Sequence, residues 1–467
     1  MSETKAIPRR NSFRRQYRRW WKQAFVFASL CLLLNFLLFA HHLRALPGFR
    51  LKHILGHTPL PGNRGATQSR FNSLNLDEEQ CRAAFPDLAK DIDQNVALGG
   101  FPFPLRSLDN KALTQYSQQL YILRSEHDLT PELVDAQYAT LQQIHRALVT
   151  SPDSLPDTAI AINIRDQPFG AAWSYSRPAY AMPSSSGPPI TRAFLMPHFS
   201  FWAWPQPFIG SLSRAAAAID AIEASLPFSK KNPRAIWRGT VGFNSVHHPT
   251  LRQDLLNATE GRSDWADVEA LKWEEGNDST NKNKSTAVPS NAIMVEDFCR
   301  HKYVLHTEGV TYSGRLLFLQ MCKSVLIAPP LAWLQHTTHL IRPLFSSDLY
   351  FSGNKRWEPS EGEKAAWPEH YTPDEANAIF VSPDWSDLEA VVGWLERNPD
   401  IAEGIATRQR ELFVGGGYLS RAAEVCYWRA LIRGWSQVAQ TEVPGEDGTG
   451  GKSNKEERWE EFSMRHV

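Results

Sequence analysis

The sequence carries no excess of either charge: 50 Lys and Arg balance 50 Asp and Glu over 467 residues. Without a basic field there is no electrostatic footprint for nucleic acid, and no nucleic-acid partner is expected. Cysteine is scarce, five in all, and none stands in a Cys-x-x-Cys metal spacing. No Walker loop, dinucleotide fingerprint or internal repeat is present either. Those absences set aside the common nucleotide-hydrolase, dehydrogenase and solenoid readings.

What is present begins at the N-terminus. Residues 1–23 form a basic tail with Lys5, Arg9, Arg10, Arg14, Arg15, Arg18, Arg19 and Lys22. The stretch 24–40 is apolar apart from Ser29 and Asn35, with Trp20 and Trp21 at its edge. Its length, about 17 residues, is at the short end of a bilayer span. Far fewer cations follow it, so the positive-inside rule places the tail in the cytosol and the remainder in the lumen. The long basic region, and the lack of a small-x-small site before His41, favour a signal-anchor over a cleaved signal peptide. The expectation is a single-pass type II protein of the Golgi or ER membrane.

The lumenal part carries Cys81, Cys299, Cys322 and Cys426, four residues that allow three pairings. Asn257-Ala-Thr, Asn277-Asp-Ser and Asn283-Lys-Ser are glycosylation sequons, meaningful only in a lumenal chain. Residues 41–70 lack periodicity and read as a stem, and 441–467 as a disordered tail. Between them, 71–440 reads as the folded domain. Glu274 to Asn291 is a polar, solvated insertion in it.

Within that domain, short apolar runs alternate with helical patterns. Residues 159–164, 235–237, 303–307 and 324–328 suit strands buried on both faces, as in parallel sheets. Helices are expected over Ser211–Leu226, after a capping box at Ser386–Glu389, and over 403–413 and 419–438. This alternation predicts an α/β fold.

Ligands of open α/β sheets bind beyond the carboxyl ends of the strands. Arg165-Asp166-Gln167 follows the first run, and Arg238-Gly239-Thr240 the second. Glu308-Gly309-Val310-Thr311-Tyr312-Ser313-Gly314-Arg315 follows the third. A helix from about Ser313 to Cys322 would present free N–H groups to a phosphate, with Arg315 and Arg238 as cations. Such a set makes a diphosphate clamp; the plainer alternative is a tight turn with Arg315 on a solvated face. Asp166 is the candidate base, able to take a proton from an acceptor hydroxyl, or else a cap of its turn. Trp202 and Trp204 are candidates for sugar contact or core packing; indole faces match the C–H faces of sugars, and the chain has 16 tryptophans.

These segments resemble glycosyltransferase family 90, the capsule-associated protein family, which includes fungal xylosyltransferases and animal protein O-glucosyltransferases. The matching pieces are Asn163–Pro168, Ile236–Thr240, His301–Gly309, and Ser313-Gly-Arg315 with its leucine-rich helix to Cys322-Lys-Ser. Leu120–Leu123, Phe194–Pro205 and Cys426-Tyr-Trp428 also match, so the likeness covers roughly 71–440 in consistent order. The Phe-Trp-Ala-Trp-Pro and Thr-Glu-Gly forms resemble the fungal branch more than the animal one.

The resemblance implies a GT-B-like fold of two Rossmann-like halves, with 71–225 mainly acceptor and base, 226–400 mainly donor nucleotide, and 401–440 closing helices. It implies inverting transfer from a UDP-sugar, UDP-xylose or UDP-glucose, to a glycan or glycoprotein, with no metal or other cofactor. By motif, Asp166 is the base, and Arg238 with Gly239 and the 308–315 loop binds the donor. Cys299–Cys322 and Cys81–Cys426 are the implied disulfides. Two departures stand out. His198 occupies a position that is often acidic in the family, which touches acceptor contacts, and Gln167 replaces a common aromatic. The competing readings are a protein O-glucosyltransferase acting on cysteine-rich modules and a non-catalytic lectin-like protein of the same fold.

Overall fold

The structure is a computed structural model that describes residues 71–103, 112–116, 118–123, 125, 129–180, 190–273, 288–349, 357–441 and 457–464. The expected tail 1–23, anchor 24–40 and stem 41–70 lie outside them, as do Asn277 and Asn283. Among the described residues, no helix is long and apolar enough to cross a membrane.

The strands of the first half are β1 (Phe101–Phe103), β2 (Ala112–Tyr116), β3 (Gln119–Ile122), β4 (Thr158–Asn163), β5 (Gly170–Ser174), β6 (Arg177–Pro178) and β7 (Ile190–Leu195). The second half supplies β8 (Ala235–Gly239), β9 (Ala266–Ala270), β10 (Tyr303–Leu305), β11 (Val325–Ala328), β12 (Trp333–Leu334), β13 (Pro343–Phe345) and β14 (Ala378–Phe380). Two short strands close the chain, β15 (Ala439–Thr441) and β16 (Glu457–Arg458). The helices, in chain order, are α1 (Glu78–Ala84), α2 (Lys90–Ala97), α3 (Pro131–Val149), α4 (Leu212–Ser225), α5 (Leu251–Ala258) and α6 (Arg315–Leu319). They continue with α7 (Glu361–Ala366), α8 (Leu388–Arg397), α9 (Pro399–Arg410), α10 (Arg421–Val438) and α11 (Trp459–Met464).

The α/β class is as the alternation predicts. The second sheet runs β13-β14-β11-β10-β8-β9, and every pairing in it is parallel. Its central strands are buried on both faces, which explains their unbroken apolar runs. The first sheet, β16-β3-β2-β4-β5-β7, is mixed. Its β4, β5 and β7 are parallel, whereas β2 and β3 form an antiparallel hairpin on β4.

The C-terminal helices do not simply follow the second half. Helix α10 returns to the first, where Trp428 and Trp435 pack on Trp173 at 5.9 and 6.0 Å between ring centroids. The Cys81–Cys426 disulfide ties α1 to α10. The Cys299–Cys322 disulfide closes the segment containing β10 and α6, within a cluster that includes Leu317 and Phe318.

The expected disordered tail is corrected at 457–464. There β16 pairs antiparallel with β3, and Trp459 and Phe462 bury against Tyr138 at 5.6 and 5.8 Å between centroids. Two aromatics three residues apart on one helix face suffice to dock a polar segment. The capping box at Ser386–Glu389 also does not form: α8 begins at Leu388 without a side-chain cap. Asp387 instead accepts from Ser346 and from the Ser382 N–H.

Candidate functional site

The loop expected to carry the base leaves the end of β4. Buried Asn163 shapes it, with Nδ2 donating to the Gln167 carbonyl at 2.6 Å and Oδ1 accepting from the Arg165 N–H at 2.9 Å. That brace turns Asp166 outward. Its side chain is open to solvent on one side yet ringed by protein, and burial lifts its carboxyl above the ordinary aspartate range. The Asp166 charge in turn raises the hydroxyls of Tyr175 and Tyr312, though burial is the larger cause for both.

The loop expected to bind the donor follows β10. The Gly309 N–H donates back to the Thr311 carbonyl at 3.0 Å, closing a tight turn. A Cβ on Gly309 would stand 3.1 Å from the Tyr312 carbonyl oxygen. At the tip, buried Thr311 donates its hydroxyl to the Asp166 carbonyl at 3.0 Å. The two loops that sequence reasoning assigned to base and donor are therefore joined directly. Ser313 and Val310 stay partly open beside them.

Helix α6 starts at Arg315 and ends at Leu319, much shorter than the expected 313–322. So short a helix supplies little macrodipole, and the positive charge comes from guanidiniums. Arg315 donates to the Arg238 carbonyl and lies 5.6 Å over the Phe298 ring. Arg252, on α5, donates to the Glu308 carbonyl at 3.1 Å and the Thr240 carbonyl at 2.6 Å. Burial lowers Arg315 to about 10, and burial and then the Arg315 charge lower Arg252 to about 9. Both meet only backbone carbonyls and aromatic faces; neither pairs with a carboxylate of the described residues. His306 nearby is held neutral, pushed down to about 3 by burial and by both arginines.

Arg238 does not face an anion in the same way. Its guanidinium is taken up by Asp267 of the edge strand β9 at 2.7 Å, with Glu269 at 3.7 Å. Its role here is to join β8 to β9, while its carbonyl positions Arg315. Gly239 is required by packing, since a Cβ would lie 2.4 Å from the Trp237 ring. Glu308 also turns inward: its carboxyl accepts from the Trp333 N–H at 2.8 Å, and burial pushes it up to about 8.

His198 and Trp204 sit at the seam. His198 Nδ1 pairs with the Ser200 hydroxyl at 2.8 Å, and burial pushes the ring down to about 3. Its ring packs on Phe199, Trp204, Tyr175 and Tyr312 at 3.9 to 5.7 Å. A Cβ on Gly314 would come within 2.6 Å of His198 Nε2 and 3.0 Å of Trp204. Trp202 is elsewhere, 40% exposed and 4.9 Å beneath the Arg146 guanidinium. Asn257 is exposed on α5, and its sequon partner Thr259 is buried, donating to the Leu255 carbonyl at 2.8 Å.

Sequence reasoning missed Arg252. The available signal was a lone cation directly beside Leu251 and one turn from Leu255 on a buried helix face. Two cavities of about 420 Å³ each lie apart from this chemistry. One adjoins the Cys81–Cys426 bridge; the other is lined by Gln94, Arg177, Gln335 and Trp367 among others. Neither includes Asp166, Arg252 or Arg315.

Two α/β halves joined at their loops, with a solvent-facing carboxylate on one and arginines that pair with no carboxylate among the described residues on the other, suit a glycosyltransferase. Residues 112–348 match the family model Glycosyl transferase family 90, and the chain belongs to that family. It is similar to "O-glucosyltransferase rumi" of Drosophila pseudoobscura pseudoobscura, 23% identical over 71% of each chain. It is also similar to "O-glucosyltransferase rumi" of Drosophila melanogaster, 22% identical over 66% of this chain and 67% of that one. "Protein O-glucosyltransferase 1" of Homo sapiens is 23% identical over 63% of this chain and 66% of its own length.

Proposed function

We propose that this glycosyltransferase moves a sugar from a UDP-sugar to an acceptor hydroxyl with inversion at the anomeric carbon, the two sheets acting as GT-B-like halves. Asp166 takes the proton of the acceptor hydroxyl. The acceptor oxygen bonds to the anomeric carbon as the bond to the β-phosphate oxygen breaks, and UDP leaves. Arg252 and Arg315 hold the diphosphate and stabilise the charge that develops on it. The observation that carries the reading is the Thr311–Asp166 hydrogen bond, which sets a raised-pKa carboxylate beside the loop that holds Arg315.

The fit of a diphosphate rests on the arginines themselves. Burying a guanidinium against carbonyls alone is costly, and an anion between Arg252 and Arg315 would offset that cost. UDP-xylose and UDP-glucose are the donors proposed; the names of the relatives support glucose. The acceptor is a glycan or glycoprotein of the Golgi or ER lumen, reached by a domain anchored through residues 24–40. The two disulfides support an oxidising compartment. Release of UDP from a panel of UDP-sugars tests the activity, with cysteine-rich modules and mannan-type oligosaccharides as alternative acceptors. No binding or turnover of any UDP-sugar would refute the proposal.

A further inference from the structure

The flanks of the paired arginines differ in chemistry. In the sheet, β9 lies on one side of β8, and β10 and β11 lie on the other. Toward β9 the surface is open: Trp273, which follows that strand, is 45% exposed. The Trp273 indole N–H donates to the Thr240 hydroxyl at 3.2 Å, and the Thr240 carbonyl accepts from Arg252. Two hydrogen bonds thus connect that face to the arginine.

Toward β11 the flank is polar and closed. The Tyr180 ring stands edge-on to His247 at 4.6 Å, and His247 lies 6.0 Å from Trp333. Trp333 donates its indole N–H to Ser245 at 2.9 Å and its backbone N–H to Glu308 at 2.8 Å. Glu363 lies beside this group, since a Cβ on the adjacent Gly362 would be 3.0 Å from the Tyr180 ring. Its charge reaches both Tyr180 and His248. His248 Nε2 and Glu363 Oε1 here are buried without a hydrogen-bond partner among the described residues. Glu363 is 4% exposed, and its other oxygen caps α7 by accepting from the Ser360 N–H at 2.7 Å. Buried polar atoms of this kind call for a partner. Among the described residues no group of three His, Cys, Asp or Glu converges as a cation site.

A nucleotide sugar has one aromatic end and one polyhydroxylated end, with a diphosphate between them. We propose that His248 and Glu363 recognise hydroxyls of the donor sugar, covered by Tyr180, while the nucleobase lies against Trp273. This rests on the UDP-sugar reading above and deepens it to the sugar-selecting residues. The ring hydroxyls donate to Glu363 Oε1, and one pairs with His248 Nε2. Tyr180 comes from the first half and the rest of the cluster from the second, so the sugar enters at the seam.

Calorimetry on the full-length protein tests this with UDP, UDP-glucose and UDP-xylose. Glu363→Gln keeps the cap of α7, because glutamine also serves at that position, and His248→Ala removes the imidazole. Each is expected to leave UDP affinity within about twofold and to weaken the UDP-sugars about tenfold, the energy of one hydrogen bond. The loss should differ between glucose and xylose. Trp273→Ala should weaken UDP and both UDP-sugars by one common factor. An unchanged ratio of UDP-sugar to UDP affinity in both cluster variants overturns the inference. Failure of the unmodified protein to bind any UDP-sugar overturns the functional reading instead.

Discussion

The hydroxyl of Thr311 donates to the backbone carbonyl of Asp166 across the seam between the two halves, at 3.0 Å. A contact to the backbone leaves the Asp166 carboxylate free for chemistry and fixes where it stands relative to the donor loop. Asp166→Asn removes the base but not this tether. It should lower kcat about 100- to 10,000-fold, the usual value of general base catalysis, with UDP affinity retained. Thr311→Val keeps the base and loses the tether, so kcat should fall by a smaller factor through misplacement. Single-turnover kinetics with a titration of UDP binding separates the two; near-normal transfer by Asp166→Asn would remove it from the base role.

The arginines divide by their partners. Arg252 meets carbonyls and the Trp237 ring, whereas Arg238 is paired with Asp267. Arg252→Gln should weaken UDP by about 2 kcal/mol, roughly thirtyfold, the value of a charge-assisted hydrogen bond. Arg238→Gln should change UDP affinity little and lower thermal stability, since it leaves Asp267 without its 2.7 Å partner. The reverse pattern would return Arg238 to the diphosphate.

Burial raises the Asp166 carboxyl, and as the proposed base it works only when deprotonated. The acid limb of kcat/KM should therefore lie above the ordinary aspartate value, with activity lost as pH falls through the raised pKa. A pH–rate profile on the unmodified protein checks this. An acid limb at or below the ordinary value would contradict the environment seen here.

Gly314 packs directly against His198 and Trp204 of the first half. Substitution by alanine brings a Cβ to 2.6 Å from His198 Nε2, and His198 is wedged among four aromatic rings. The backbone at 314 is ordinary, with φ −60°, so the cost is steric alone. Gly314→Ala should reduce turnover by displacing the donor loop, whereas Gly242→Ala, with open space around it, should not.

Much of this was legible in the sequence because buried parallel strands write unbroken apolar runs. The runs at 159–164, 235–237, 303–307 and 324–328 became β4, β8, β10 and β11. That Asp166 and the 308–315 loop lie at strand ends was legible because polar residues directly follow those runs. Arg252 was not, because its helix lies beyond a long loop and carries no motif of its own. The pairing of Arg238 with Asp267 was not legible, because they are neighbours through strand pairing and not through sequence. The docking of 457–464 was hidden by polar flanks, since two aromatics do not make a periodic pattern.

Glu308 offers a test of burial that does not depend on turnover. Its carboxyl is pushed up to about 8 by burial, against an ordinary value of 4.5, while N–H groups of Trp333 and Ala332 oppose the shift. Between those two values the folded state keeps a proton that the unfolded chain releases. Stability from this group is therefore lost as pH rises through that window, by at most about 1.4 kcal/mol per pH unit. Glu308→Gln does not titrate, and its amide oxygen can still accept from Trp333. Glu424, pushed up to about 7, contributes with the same sign in both proteins and cancels in the comparison. The stability of Glu308→Gln relative to the parent should rise steadily from about pH 5 to about pH 8 in denaturant titrations. A difference independent of pH would mean that Glu308 is ionised in the folded protein, and that its carboxylate has a cationic partner that Arg252, turned to its carbonyl, does not supply.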